Sequence, residues 1–129
     1  MRDYQRKKDN KYILPRAIWH ATLWVIRDYD RMKAEAEAIL AESPPPPDGL
    51  PKGSGTGDST ASKAIRRAEL LGKCRAIEEA LEAIPVEYRK GVWEAVTEWK
   101  RYPDDAARRT YQRAKGKFVY EAATRLKML

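Results

Sequence analysis

The stretch "SPPPPDGLPKGSGTGDST", residues 43 to 60, holds five prolines and four glycines in eighteen positions. Proline removes backbone donors and glycine adds conformational freedom, so neither a helix interior nor a strand is expected to run through it. Whatever folds must be built from the residues on either side. The glycine-rich half lacks the preceding strand and the Gly-Lys-Ser/Thr ending that set a lysine on nucleotide phosphates, so a linker is expected rather than a phosphate loop.

Both flanks carry helical spacing. Residues 1 to 13 read as a polar, basic arm, and Pro15 suits a first helical position, where its missing N–H has no partner to lose. From there Ile18, Thr22, Val25, Tyr29, Met32, Ala36 and Ile39 alternate four and three steps, predicting one long helix to about Glu42. Its first half adds Trp19, Leu23, Trp24 and Ile26, too much apolar surface for one seam, so burial on two sides is expected. The stripe from Met32 to Ile39 is expected to meet either a second copy or the C-terminal helices of its own chain.

Beyond the linker, Asp58, Ser59 and Thr60 are good capping types ahead of a second helix with Leu70, Cys74, Ile77, Leu81 and Ile84 on one side, ending near Pro85. "VEYRKGVWEAVTEWK" predicts a third, with Val92, Val96 and Trp99 on one face and Gly91 a mild penalty. "RYPDD" breaks it, and Asp104 and Asp105 suit the start of a fourth. No useful length alternates with period two. The expected fold is all-α: a basic arm and long N-terminal helix over 1–42, a Pro/Gly-rich linker over 43–60, and a helical C-terminal region over 61–129. That last region holds three helices and ends in a helix-turn-helix-like pair.

Few enzymes can be built from these residues. Cys74 is the only cysteine and His20 the only histidine, which leaves no cysteine-based metal cluster, no intrachain disulfide and no histidine-based triad. Glu78, Glu79 and Glu82 have ordinary helix-surface spacing beside Arg75, and Asp104 with Asp105 reads as a helix start rather than a magnesium site. The four tryptophans, at 19, 24, 93 and 99, are expected in the core. "AIWHATLWVI" is about half the apolar length a bilayer requires, so neither a membrane span nor a signal peptide is expected.

The charge is unevenly placed. Lys and Arg number 26 against 19 Asp and Glu, a net +7, yet residues 1–99 hold 17 basic and 16 acidic groups while residues 100–129 hold 9 and 3. Nearly all the excess therefore lies at one end, which points to an anionic partner there. Within it, "RRTYQRAKGKFVYEA" alternates apolar and basic residues at helical spacing. Tyr111, Ala114, Phe118, Ala122 and Leu126 form a docking stripe, with Val119 and Ala123 beside it. Arg109, Gln112, Arg113, Gly116 and Lys117 fall opposite, as on a recognition helix whose Arg and Gln reach base edges and whose Lys meets phosphate.

Taken together, "LPRAIWHATLWVIRDYDRMK", "PPPDGLPKGSGTGDSTASKAI" and "AIPVEYRKGVWEAV…RYPDDAARRTYQRAKGKFVYEAA" resemble the RinA/ArpU-like family of phage transcriptional regulators, over almost the whole chain. The resemblance implies a regulator of late or packaging genes with a C-terminal region similar to sigma-factor region four. "IPVEYRKGVWEAV" would be its supporting helix and "RRTYQRAKGKFVYEAATRL" its recognition helix. Base reading would fall on Arg108, Arg109, Thr110, Gln112 and Arg113, and Lys117 and Arg101 are further candidate DNA-binding residues. The expected partner is double-stranded DNA in the cytoplasm of a bacterial host, with no cofactor and no catalysis. Host RNA polymerase and a second copy of the chain are further candidates. Two other readings stay open: a small-terminase-like packaging or assembly adaptor, and a helical interaction protein that binds no DNA.

Overall fold

A computed structural model describes the backbone of residues 3–42 and 54–129, with side chains for 3–42 and 60–129. Five helices follow one another: α1 (Arg16–Arg27), α2 (Tyr29–Glu42), α3 (Ser54–Glu82), α4 (Val86–Glu98) and α5 (Arg108–Arg125). The fold is all-α, with no strand among the described residues.

The chain divides into two compact units, one of Met1–Asp28 with Arg75–Leu129, the other Tyr29–Cys74. The expected long first helix is two helices, interrupted at Asp28, where the division falls. The expected linker lies mostly outside the described residues. Its last part, from Ser54, is already helical, so Asp58, Ser59 and Thr60 lie within α3 rather than ahead of it. Once a helix is nucleated each further residue adds a hydrogen bond, and a glycine costs only about 1 kcal/mol, so α3 extends through this stretch.

In the first unit, α1, α4 and α5 pack against one another pairwise. Trp19, Leu23 and Ile26 of α1 are buried, as are Val92 and Val96 of α4 and Tyr111, Phe118, Val119 and Ala122 of α5. Ile77, Ala80 and Ile84, from the end of α3 and its corner, complete this core. Pro15 and Pro85 stand at the N-caps of α1 and α4 with nearly the same backbone angles, φ near −55° in each case.

Gly91 does more than interrupt a helix. A Cβ there would lie 2.7 Å from Tyr111 Cε1 and 2.9 Å from Pro103 Cδ, so the bare backbone of α4 is what lets the Tyr111 ring and the α4–α5 connection close on it. The Tyr111 ring also stacks on Tyr102 at 5.1 Å and meets Tyr88 edge-on at 5.3 Å. Its hydroxyl donates to Asp105 Oδ1 at 2.5 Å. Asp105 thus holds the start of α5 through a tyrosine, while the N-cap is Ala107, which makes no side-chain cap.

The four tryptophans do not all enter the core. Trp19 is buried and Trp93 half-buried, packed at 6.3 Å from Phe118, but Trp24 is 60 % and Trp99 39 % exposed. Both exposed indoles lie on the Arg27 guanidinium, at 5.1 and 4.5 Å. A cation over an indole face is worth about 1 kcal/mol even near water, so these rings gain from the surface position.

In the second unit, Met32 and Ala36 of α2 and Leu70 and Cys74 of α3 are buried. Arg66 pairs with Glu35 at 3.0 Å and Lys63 with Glu42 at 3.9 Å, so ion pairs link the two helices.

Candidate nucleic-acid interface

The site is built on α5, which packs on α1 and α4 and also meets the N-terminal arm. Gln5 is buried, its amide spending both ends on the main chain of Leu14: Nε2 donates to the Leu14 carbonyl at 3.0 Å and Oε1 accepts from the Leu14 N–H at 2.8 Å. Residues 5–14 are thereby closed into a loop. Within it Asn10 Oδ1 accepts from the Tyr12 N–H at 2.8 Å, a side-chain turn of the kind asparagine favours, and Asp9 takes a left-handed φ of 53°. Asp3 fixes the other end: its carbonyl accepts from Trp19 Nε1 at 2.7 Å and its carboxylate pairs with Arg27.

This arm lies along the C-terminal part of α5. Tyr12 packs on Tyr120 at 5.4 Å, and a Cβ on Gly116 would sit 3.5 Å from the Asn10 amide. Gly116, expected on the open face, is buried for that reason. Lys115 is covered as well, 5 % exposed, with its ammonium over Trp19 at 5.7 Å. Burial pushes its pKa down to about 8; the Asp3 charge opposes that fall and Arg27 adds to it. The Asp3 carboxyl, raised by its own burial, is pulled below the usual value by the hydrogen bond and charge of Arg27, helped by Lys115 and by a bond from Trp99.

The N-terminal part of α5 stays open. Arg108, Arg109 and Arg113 are exposed, and Thr110, Gln112 and Lys117 half-buried. The docking stripe is buried at Tyr111, Ala114, Phe118 and Ala122 as expected, with Leu126 half-buried at its end. Among the described residues no carboxylate pairs with Arg101, Arg108, Arg109, Arg113 or Lys117, whereas Arg125, about two turns beyond Lys117, is bound by Glu79 and Glu121.

Six of the seven expected residues fall into two sets, one on either side of α5. Thr110, Arg113 and Lys117 border a groove of about 510 Å³ whose other walls are Asp9–Tyr12 of the arm and Ile84, Pro85 and Tyr88 of the α3–α4 corner. Arg101, Arg108 and Gln112 border a second cavity, of about 330 Å³, on the other side. By helical rotation Arg109 stands on the crest between them, one turn before Arg113.

Lys11 joins the groove, and Lys7 and Lys8 are exposed on the same loop. The sequence marked these lysines as basic without placing them; the Asn10–Tyr12 turn was its one local sign that the arm folds back. The connection from α4 to α5 spans residues 99–107, longer than the "RYPDD" break and than the three or four residues usual in a helix-turn-helix.

Comparison with known protein families, with curated proteins and with solved structures finds no match to this chain. No group of His, Cys, Asp and Glu that could hold a metal ion occurs among the described residues, nor any helix long and apolar enough to cross a membrane.

Proposed function

We propose that this chain is a sequence-specific, duplex-DNA-binding regulator of transcription, acting on phage or prophage late or packaging genes. Support for DNA binding comes from one observation above the rest. The N-terminal half of α5 presents Arg108, Arg109, Gln112 and Arg113 outward, and its arginines have no carboxylate partner among the described residues. A surface that leaves planar guanidinium donors without carboxylate partners is suited to an anionic duplex.

Arg109 and Arg113, a turn apart, reach base edges in the major groove with Gln112 beside them, and Lys117 meets the phosphate backbone. Lys7, Lys8 and Lys11 of the folded arm add phosphate contacts at its flank. Because the connection to α4 is long, α5 docks as a helix backed by the arm and core rather than through a tight two-helix turn. The assignment to phage late genes rests on the sequence resemblance, and the host cytoplasm is its setting.

Selection from a random duplex pool by the purified protein tests this reading. Enrichment of one sequence, lost in Arg113→Ala, supports it. Recovery of an unselected pool, with affinity unchanged in Arg109, Arg113 and Lys117 variants, sinks it.

A further inference from the structure

The cavity on the Arg108 side of α5 combines aromatic and basic surface. Its volume, about 330 Å³, falls within the range of small-ligand sites. Tyr4 of the arm and Trp99 and Tyr102 of the connection give it aromatic walls, while Arg101, Arg108 and Lys115 supply cations. Lys100 is held by Glu94 and Glu98 at 3.9 and 3.7 Å, and Asp104 is the one carboxylate of the lining. Arg101 and Arg108 are exposed and have no carboxylate partner among the described residues.

Trp99 is placed there against backbone preference. It is the C-cap of α4 at φ 53° and ψ 32°, the left-handed region in which glycine is the usual residue. A bulky side chain at such an angle persists only where its surroundings hold it. Here the Arg27 guanidinium lies 4.5 Å from its ring, so the indole is held in place before any ligand arrives.

We propose that this cavity binds a nucleoside phosphate, with the base against the exposed rings of Tyr4 and Trp99 and the phosphate on Arg101 and Arg108. Aromatic faces accept any base by stacking, and guanidinium forks match phosphate oxygens two at a time. Lys115, buried beside the same space, strengthens the local field for an anion. The first turn of α5 contributes in the same sense, since it carries no acidic residue and Ala106 and Arg108 border the cavity. The nucleotide comes either free or as an unstacked residue of a strand, and only the second source rests on the nucleic-acid reading above.

The intact protein is titrated with dAMP, deoxyadenosine, inorganic phosphate and a short oligo(dA) strand, followed by tryptophan fluorescence and calorimetry. Saturable binding of dAMP is expected, at least about tenfold tighter than deoxyadenosine or phosphate alone, because base and phosphate are both held. The Arg101→Ala/Arg108→Ala variant, altered only at exposed positions and checked for native helicity, should weaken dAMP about tenfold or more. Trp99→Gly relieves the left-handed backbone and should also lose binding while remaining folded. An oligo(dA) strand bound about tenfold or more tighter than dAMP identifies the strand as the source, and equal affinity identifies the free nucleotide.

No saturable binding of either, phosphate competing as well as dAMP, or an unchanged double-arginine variant overturns the proposal. A duplex titration run in parallel separates the two ideas. Duplex binding that depends on Arg113, without dAMP binding, removes the cavity alone, whereas dAMP binding without duplex binding removes the helix-face reading alone.

Discussion

The two ends of α5 use the same kinds of residue for opposite purposes. Near its middle Lys115 lies under the arm, and at its C-terminus Arg125 is tied to Glu79 and Glu121. Toward its N-terminus Arg108, Arg109 and Arg113 face outward, and no carboxylate among the described residues answers them. A count of basic residues treats both ends alike. What separates them is the neighbour each charge meets after folding, and hence whether its field is spent inside the protein or left for a partner.

The most drastic way to break the contrast is to remove the platform both ends share. Tyr111→Ala empties a fully buried site and forfeits the bond to Asp105, and should cost about 3 to 5 kcal/mol. Urea unfolding followed by circular dichroism would show the midpoint fall. Gly91→Ala attacks the same platform from the α4 side. Its Cβ would press on Tyr111 and Pro103, and a loss of about 1 to 3 kcal/mol is expected instead of the gain alanine usually brings to a helix.

Lys115 sharpens the contrast at the covered end. Its folded pKa lies near 8, below the ordinary 10.5, so between these values the unfolded chain binds a proton that the folded chain has released. Stability should therefore rise with pH across that window. The tyrosines act the other way and later. The bond to Asp105, then burial, push Tyr111 up to about 12, and burial pushes Tyr102 to about 12, so stability should fall above about pH 10. Lys115→Met should be more stable than the parent at pH 7, by at most about 3 kcal/mol, and should lose the rise between pH 8 and 9.5. Unfolding midpoints of the two proteins at those pH values would show it.

At the open end the effects appear in binding. On a selected duplex Arg113→Ala should cost about 1 to 3 kcal/mol and relax sequence preference, while Lys117→Ala should weaken all duplexes alike and lower the salt slope by about one. Anisotropy titrations at two salt concentrations distinguish these outcomes. The smallest effect is expected at Arg125. Its ion pairs are partly exposed, so Arg125→Ala should cost below about 1 kcal/mol of stability and leave duplex affinity and its salt slope unchanged. A marked loss of DNA binding there would erase the distinction between the two ends.

Much of this architecture is legible in the sequence. Apolar spacing gave the helical class, the corner at Pro85 and the buried stripe Tyr111–Ala114–Phe118–Ala122, because a 3.6-residue period is a local property of the chain. The break at Asp28 was not legible, since no proline or glycine marks it. Nor was the exposure of Trp24 and Trp99, which depends on Trp99 at the end of α4 meeting the Arg27 guanidinium, one turn beyond Trp24 on α1. Gly91 read as a weak point of a helix, and only the approach of Tyr111 and Pro103 gives it a purpose.

By itself, then, the sequence determined the helical class, the buried stripe of α5, and that the excess positive charge gathers after residue 99. Those are properties of residue type and spacing. The tertiary structure alone decided that the arm folds over Gly116 and Lys115, that the cations from Arg108 to Arg113 stay outside it, and that an aromatic, basic cavity opens beside them. Those outcomes depend on which distant side chain comes to lie within a few ångströms, and on the loss of water that follows, neither of which local periodicity encodes.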